Sequence, residues 1–261
     1  TSGYHTNFDR YSAHYGLGWM RPAVAAYLRT LHRRTRATLV PTAALAADLA
    51  GEGLSGVRVV GRGVDMALFS PTRRDAALRE QWGARAGDPV CLYVGRIAPE
   101  KNLALVRKTF AVIRQHHPAA RMVWVGDGPA ARTLADAHPD HVFAGMRVGA
   151  ELAAHYASAD LFLFPSLTET YGNVVAEAMA SGVPVVAYRS AAAAELIVDR
   201  ENGVVASPGD EAAFVEAALW ALAQPGRLSG LAAAAHATML PRSWAAVVAE
   251  FERVARAAIA A

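Results

Sequence analysis

Between residues 90 and 223 the chain repeats one pattern: a short apolar run, a turn, then a segment with helical periodicity. The runs at 90–94, 121–125, 141–144, 160–164, 184–187 and 203–205 show no polar alternation. Continuous apolar runs of this length are strands buried on both faces, as in parallel sheets. Helical segments near 102–116, 129–137, 149–157, 173–181 and 191–199 join each run to the next, and one near 210–223 follows the last. Parallel neighbours need such crossovers, so the pattern predicts βαβ units and an α/β fold built on a doubly wound, Rossmann-like sheet.

The flanking regions are read in the same way. Residues 22–36 predict a helix, Thr38 to Pro41 a short strand, and Thr42 the cap of a helix reaching Gly51. Val57 to Val60 predict a strand that leads into Gly61-Arg-Gly-Val-Asp65. Residues 69–88 read as a polar linker with a short helix. Trp244, Val247, Val248, Phe251, Val254, Ala255 and Ile259 recur at helical spacing, so 243–260 predict an amphipathic helix.

Composition sets the outer bounds. With 261 residues, 53% hydrophobic and 19% charged, the chain can fill one large or two small domains. No apolar run reaches the ~18 residues of a membrane span. Cys91, the lone cysteine, lies in an apolar run and reads as core, which fits a reducing, cytoplasmic compartment. A net charge of +3 is too small to argue for nucleic acid. Arg29, His32, Arg33, Arg34 and Arg36 crowd one segment, which reads either as a solvated helix face or as a contact for anionic lipid or an acidic acceptor. The opening Thr-Ser-Gly-Tyr-His-Thr-Asn-Phe resembles the end of a strand, so an upstream part of a longer protein is expected.

Chemistry-bearing residues concentrate where the predicted strands end. Gly95 frees the backbone after the first strand, and Arg96 and Lys101 precede a helix starting near Asn102. Two cations ahead of a helix N-terminus suit a diphosphate. Gly126-Asp-Gly-Pro129 reads either as a tight turn near a ligand or as packing, with Pro129 in the first helical turn. Met146 reads either as core filler or as the edge of a nucleobase site. The densest signal is Glu169-Thr-Tyr-Gly-Asn-Val-Val-Ala-Glu177, between an apolar strand and a small-residue helix. It sets one carboxylate on each side of a helix N-terminus, which suits a ligand with hydroxyls at both ends and phosphates between them. His5 lies at another apparent strand end. Metal-ligand spacings such as His-x-x-x-His or Cys-x-x-Cys, the Gly-x-Ser-x-Gly elbow and the Walker loop do not occur.

Glu169-x7-Glu177 with Tyr171-Gly172, Gly95-x5-Lys101 with Arg96, and Gly126-Asp-Gly128 together resemble the retaining GT-B glycosyltransferases of family 4. Tyr4-His-Thr-Asn-Phe8 and Arg62-Gly-Val-Asp65 are similar to its bacterial mannosyltransferases acting on glycolipids. The resemblance implies a partial acceptor-binding N-terminal domain over 1–70, a donor-binding domain over 71–240, and a helix over 241–261 crossing back to the first. It implies that Glu169 holds sugar hydroxyls, Glu177 the ribose, and Arg96 and Lys101 the pyrophosphate. Gly95, Met146, Thr170, Tyr171, Gly172, Asn173 and Val174 complete the donor site, and His5 faces the transferred sugar. No metal or other cofactor is implied. The co-substrate is a nucleotide sugar, GDP-mannose ahead of a UDP-sugar, and the acceptor is a lipid or saccharide at the inner face of the cytoplasmic membrane. Two alternatives stay open: an inactive nucleotide-binding or interaction module, completed by self-association or a partner chain, and a GT-B epimerase or phosphorylase.

Overall fold

A computed structural model of the chain describes residues 1–4, 26–28, 30–32, 34–167, 169–224 and 226–260. The chain divides into two compact units, one of Thr1–Gly63, Thr168–Gly172 and Arg242–Ala261, the other of Val64–Leu167 and Asn173–Pro241.

In the first unit β1 (Ser2–Gly3), β2 (Thr38–Val40) and β3 (Val57–Val59) form a parallel sheet in that order. Helix α1 (Ala43–Gly51) is capped as expected, the Thr42 hydroxyl accepting from the Leu45 N–H at 3.2 Å. Tyr4, Val40, Leu49 and Leu54 make its small core. The basic segment departs from its reading as a helix to Arg36. Residues 26–28 and 30–32 are helical, but Arg34 to Arg36 form turns. His32 is not on a solvated face: it is buried and shares a hydrogen bond with the Ser2 hydroxyl at 2.8 Å. The final helix, Trp244–Ala260, belongs to this unit. Arg36 donates to the carbonyls of Ala258 and Ile259 in its last turn, where orphan acceptors favour a cation.

The second unit is the predicted doubly wound sheet. Its strands are β4 (Val90–Val94), β5 (Arg121–Val125), β6 (Val142–Gly145), β7 (Leu161–Phe164), β8 (Val185–Tyr188) and β9 (Val204–Ala206). They lie in the order β6-β5-β4-β7-β8-β9, and every pairing is parallel. Each strand falls within a residue of its predicted place; β4, β7 and β8 are buried along their whole length, whereas the edge strand β6 keeps a continuous apolar run that is only half-buried and ends at the exposed Gly145. Cys91, Leu92, Tyr93, Trp124, Phe162 and Leu163 are fully buried. Helix α2 (Ala76–Gln81) precedes β4, the five crossovers carry α3 (Leu103–His116), α4 (Ala131–Ala137), α5 (Gly149–Ser158), α6 (Asn173–Ala180) and α7 (Ala191–Leu196), and α8 (Glu211–Leu222) follows β9.

Three local expectations fail for identifiable reasons. Helix α7 stops at Leu196 and not near 199, because the Asn202 side chain takes over the capping. Its Nδ2 donates to the Leu196 carbonyl at 3.0 Å, and its Oδ1 accepts from the Val198 N–H at 2.8 Å. Pro129 sits in the turn ahead of α4 and not in its first helical turn. Helix α9 (Arg227–Met239) has no counterpart in the sequence reading. Its inward residues are Leu231, Ala235 and Met239, set among alanines, so apolar and polar faces contrast too little to show a period.

One ionic knot closes the N-terminal edge of this sheet. Buried Arg79 of α2 donates to Asp160 Oδ2 at 2.9 Å, to the Ser158 carbonyl at 2.7 Å and to the Asp88 carbonyl at 2.8 Å. Asp160 also accepts from the Val90 N–H at 2.8 Å and from Arg74 at 2.7 Å. The knot therefore fastens the linker helix to the start of β4 and the approach to β7. Arg79→Ala leaves Asp160 half-buried without its main partner. We expect a loss of roughly 3 kcal/mol, measured by urea denaturation, with the denaturant slope unchanged.

Candidate active site

The strand order of the second unit reverses between β4 and β7, and in open α/β sheets ligands bind outside the C-terminal strand ends at such a point. The exits of β4, β5 and β6 are stitched by backbone hydrogen bonds. Gly95 N–H donates to Val125 O at 3.0 Å, Ile97 N–H to Asp127 O at 2.9 Å, and Gly126 N–H to Gly145 O at 2.9 Å. This approach explains both glycines of the Gly126-Asp-Gly128 turn. A Cβ at Gly126 would lie 2.0 Å from the Gly95 carbonyl oxygen, and one at Gly128 would lie 2.4 Å from that of Ile97. Packing is the role the structure gives this turn, which makes it the wall that fixes the β4 exit.

From that wall the chain presents its cations. The Arg96 carbonyl accepts from the Tyr93 hydroxyl at 3.0 Å, while its guanidinium is half-exposed and pairs with Glu100 at 3.4 Å. Pro99–Lys101 form a single 3₁₀ turn. Asn102 follows in the left-handed region, φ 53°, which Asn tolerates better than most residues, and α3 starts behind it. Its Nδ2 donates to the Pro165 carbonyl at 3.4 Å, tying the β4 exit to the β7 exit. The sequence offered Asn102 only as a helix start.

Beyond β7, Pro165 and Ser166 are buried and Leu167 is exposed. Glu169 and Thr170 are half-buried, Tyr171 is buried, and Gly172 has φ 86°; these residues count with the first unit. Helix α6 then returns to the second unit with Asn173 exposed and Val174 half-buried. Glu177 stands in its second turn. The buried Tyr156 hydroxyl of α5 donates to Glu177 Oε2 at 2.9 Å. Burial pushes the Glu177 carboxyl above its ordinary value of 4.5, and the Tyr156 hydrogen bond pulls the other way. Met146 is 66% exposed just past β6, which rules out core filler. His5 lies outside the described residues. The second unit thus brings together Gly95, Arg96, Lys101, Asn173, Val174 and Glu177 on connections leaving one edge of its sheet.

A second cluster was not expected. His138, Asp140 and His141 place potential ligand atoms within 4.8 Å of one another. Protein donors already occupy them: Arg107 donates to His138 Nε2 at 3.1 Å, Trp124 Nε1 donates to His141 Nδ1 at 3.2 Å, and Arg114 pairs with Asp140. Burial pushes His141 down to about 4. With both imidazole lone pairs engaged, the cluster is a hydrogen-bonded tie of α3 and β5 to the segment between α4 and β6.

Residues 88–224 match the family described as Glycosyl transferases group 1, and residues 1–68 match Glycosyltransferase Family 4. The GDP-mannose-dependent alpha-mannosyltransferase of Mycobacterium tuberculosis is 36% identical over 244 residues, covering 94% of this chain and 62% of its own. A GDP-mannose-dependent alpha-(1-6)-phosphatidylinositol monomannoside mannosyltransferase of Mycolicibacterium smegmatis is 35% identical over 187 residues, covering 66% of this chain and 48% of its own. The chain therefore spans about three fifths or less of the length of these relatives. Among solved structures, sucrose-phosphate synthase from Thermosynechococcus elongatus superposes with a TM-score of 0.76 at 24% identity, over 89% of this chain and 60% of that one. This likeness shows the fold: Rossmann-like α/β of the GT-B type.

The shifted Glu177 makes a stability prediction. A carboxyl with a raised pKa binds its proton more tightly folded than unfolded. Its contribution to stability is full below pH 4.5 and is lost as pH rises through the raised value. Glu177→Gln removes that dependence. Near neutral pH the variant is expected to be at least as stable as the wild type, and to lose this advantage as pH falls from the raised value to 4.5. Thermal midpoints recorded across the range check it; identical pH profiles would contradict the account.

Proposed function

Because the chain belongs to the group 1 glycosyl transferases, we propose that it carries the donor site of a retaining hexosyltransferase, which moves mannose from GDP-mannose to a lipid or saccharide acceptor. One observation carries this reading: strand order reverses between β4 and β7, with Arg96 and Lys101 leaving one strand and the N-terminus of α6 following the other. The names of the mannosyltransferase relatives support GDP-mannose over a UDP-sugar.

In this proposal the diphosphate lies against Arg96, Lys101 and the N–H groups at 171–174. Glu177 accepts from the ribose hydroxyls, Glu169 accepts from hydroxyls of the sugar, and His5 faces that sugar. Gly95 lets the phosphates approach the backbone, and Met146 edges the base. As the bond from the anomeric carbon to the phosphate oxygen breaks, negative charge builds on the leaving diphosphate. Fixed cations and a helix N-terminus stabilise that charge more than the ground state. The acceptor oxygen bonds to the anomeric carbon on the face the diphosphate leaves, and a departing phosphate oxygen takes its proton. Configuration is retained, and a protein nucleophile has no step to perform.

We further propose that the acceptor is met at a membrane surface. Trp244, Val248, Phe251 and Ile259 are exposed on the last helix, and Arg34 and Arg36 are exposed in the same unit. Among the described residues no helix is long and apolar enough to cross a membrane.

Two measurements test the donor site. GDP at about a hundred times its dissociation constant should raise stability by about 2.7 kcal/mol, ahead of UDP and ADP. Arg96→Ala should weaken GDP by about 1.5–3 kcal/mol, the worth of a hydrogen bond to a charged group. Unchanged GDP affinity in that variant would remove the phosphate assignment.

The two glutamates separate by ligand. Glu177→Gln should weaken free GDP and GDP-mannose alike, since both carry ribose. Glu169→Gln should spare GDP and lose the affinity that the sugar adds. Equal losses on free GDP would refute the two-ended arrangement.

A further inference from the structure

We propose that Tyr156 is the positioning residue that makes the Glu177 carboxylate selective for ribonucleotide over 2′-deoxyribonucleotide donors. The inference rests on the ribose role proposed for Glu177 and adds a residue to it. Tyr156 sits on α5, 21 positions before Glu177, and its hydroxyl reaches across to α6. Its ring cannot drift. It packs edge-on against Phe69 at 5.8 Å between centroids and against Phe162, also at 5.8 Å, and it is fully buried.

A free carboxylate turns about its last torsion in a broad, two-fold well. The Tyr156 O–H removes that freedom by holding Oε2 at 2.9 Å. The proton stays on the phenol, because burial and the charge of Glu177 push its pKa well up, so it remains a donor at every working pH. Among the described residues no protein donor reaches Oε1, and a carboxylate oxygen has lone pairs for more than one hydrogen. The pinned carboxylate therefore presents an acceptor edge of fixed orientation to an adjacent pair of hydroxyls. A vicinal diol can donate to that edge twice, whereas a 2′-deoxyribose can do so once. A rotating carboxylate would satisfy the second hydroxyl less often, so discrimination depends on the pin as well as on the acid.

Titration calorimetry with GDP and 2′-deoxy-GDP tests this on the wild type, Tyr156→Phe, Glu177→Gln and the double variant. The Phe69–Phe162 clamp keeps the phenyl ring in place, and the thermal midpoint checks that the fold is retained. Tyr156→Phe is expected to weaken GDP about tenfold, a factor that corresponds to about 1.4 kcal/mol, and to leave 2′-deoxy-GDP nearly unchanged. In the Glu177→Gln background the same substitution should cost nothing further, since the hydroxyl acts through the carboxylate. The acid limb of GDP binding should move to higher pH, because the hydrogen bond that lowers the Glu177 pKa is gone. A merely structural tyrosine would weaken both nucleotides equally and leave the limb in place, which would overturn the inference. A discriminating wild type whose GDP to 2′-deoxy-GDP ratio survives Tyr156→Phe overturns the inference alone. A wild type that binds both nucleotides equally overturns the ribose role of Glu177 and the inference with it.

Discussion

Six parallel strands, the central ones buried on both faces, impose the constraint on which the second unit depends. Parallel strands must be joined by crossovers, and covering both faces requires the crossovers to go both ways from the middle of the sheet. The reversal falls between β4 and β7. At that place successive connections diverge, so the strand ends open onto a crevice. Both connections leaving it carry the residues suited to a diphosphate and a ribose. The glycine-walled β4 exit, the left-handed Asn102 and its bond to Pro165 all hold that crevice in one shape.

The two ends of the sheet use charge differently. At the N-terminal end Arg79, Arg74 and Asp160 satisfy one another and the chain around them, so their charges are consumed by structure. At the C-terminal end Glu177 is half-buried with a raised pKa, and its hydroxyl donor only partly offsets the cost of burial. A carboxylate whose ionised form costs the folded state suits the ribose role proposed for Glu177, because in that role the compensating donors arrive with the ligand. The same contrast separates Glu177 from the His138–Asp140–His141 cluster, where protein donors already occupy the ligand atoms.

Much of this was legible in the sequence, and the reason is physical. A strand buried on both faces must be apolar without interruption, so β4, β7 and β8 could be located to within a residue, and the half-buried edge strand β6 was found as well because its run is also continuously apolar. Turns that follow such strands expose their chemistry directly, which is why Gly95, Arg96, Lys101 and Glu177 were identifiable as candidates. Helix α9 escaped, since an alanine-rich helix shows little contrast between its faces. The end of α7 escaped as well, since Asn202 caps it from beyond its own segment.

The sequence by itself determined the fold class, the succession of strands and of the crossover helices that join them, and which residue types stand where strands end. Those follow from local periodicity and chain connectivity. Only the tertiary structure decided which of those residues share an edge, that the Gly126-Asp-Gly128 turn is a wall, and that Met146 stands in solvent. It alone decided that Tyr156 pins Glu177. That contact joins two helices through a single hydroxyl hydrogen bond, and no periodicity within either helix encodes it.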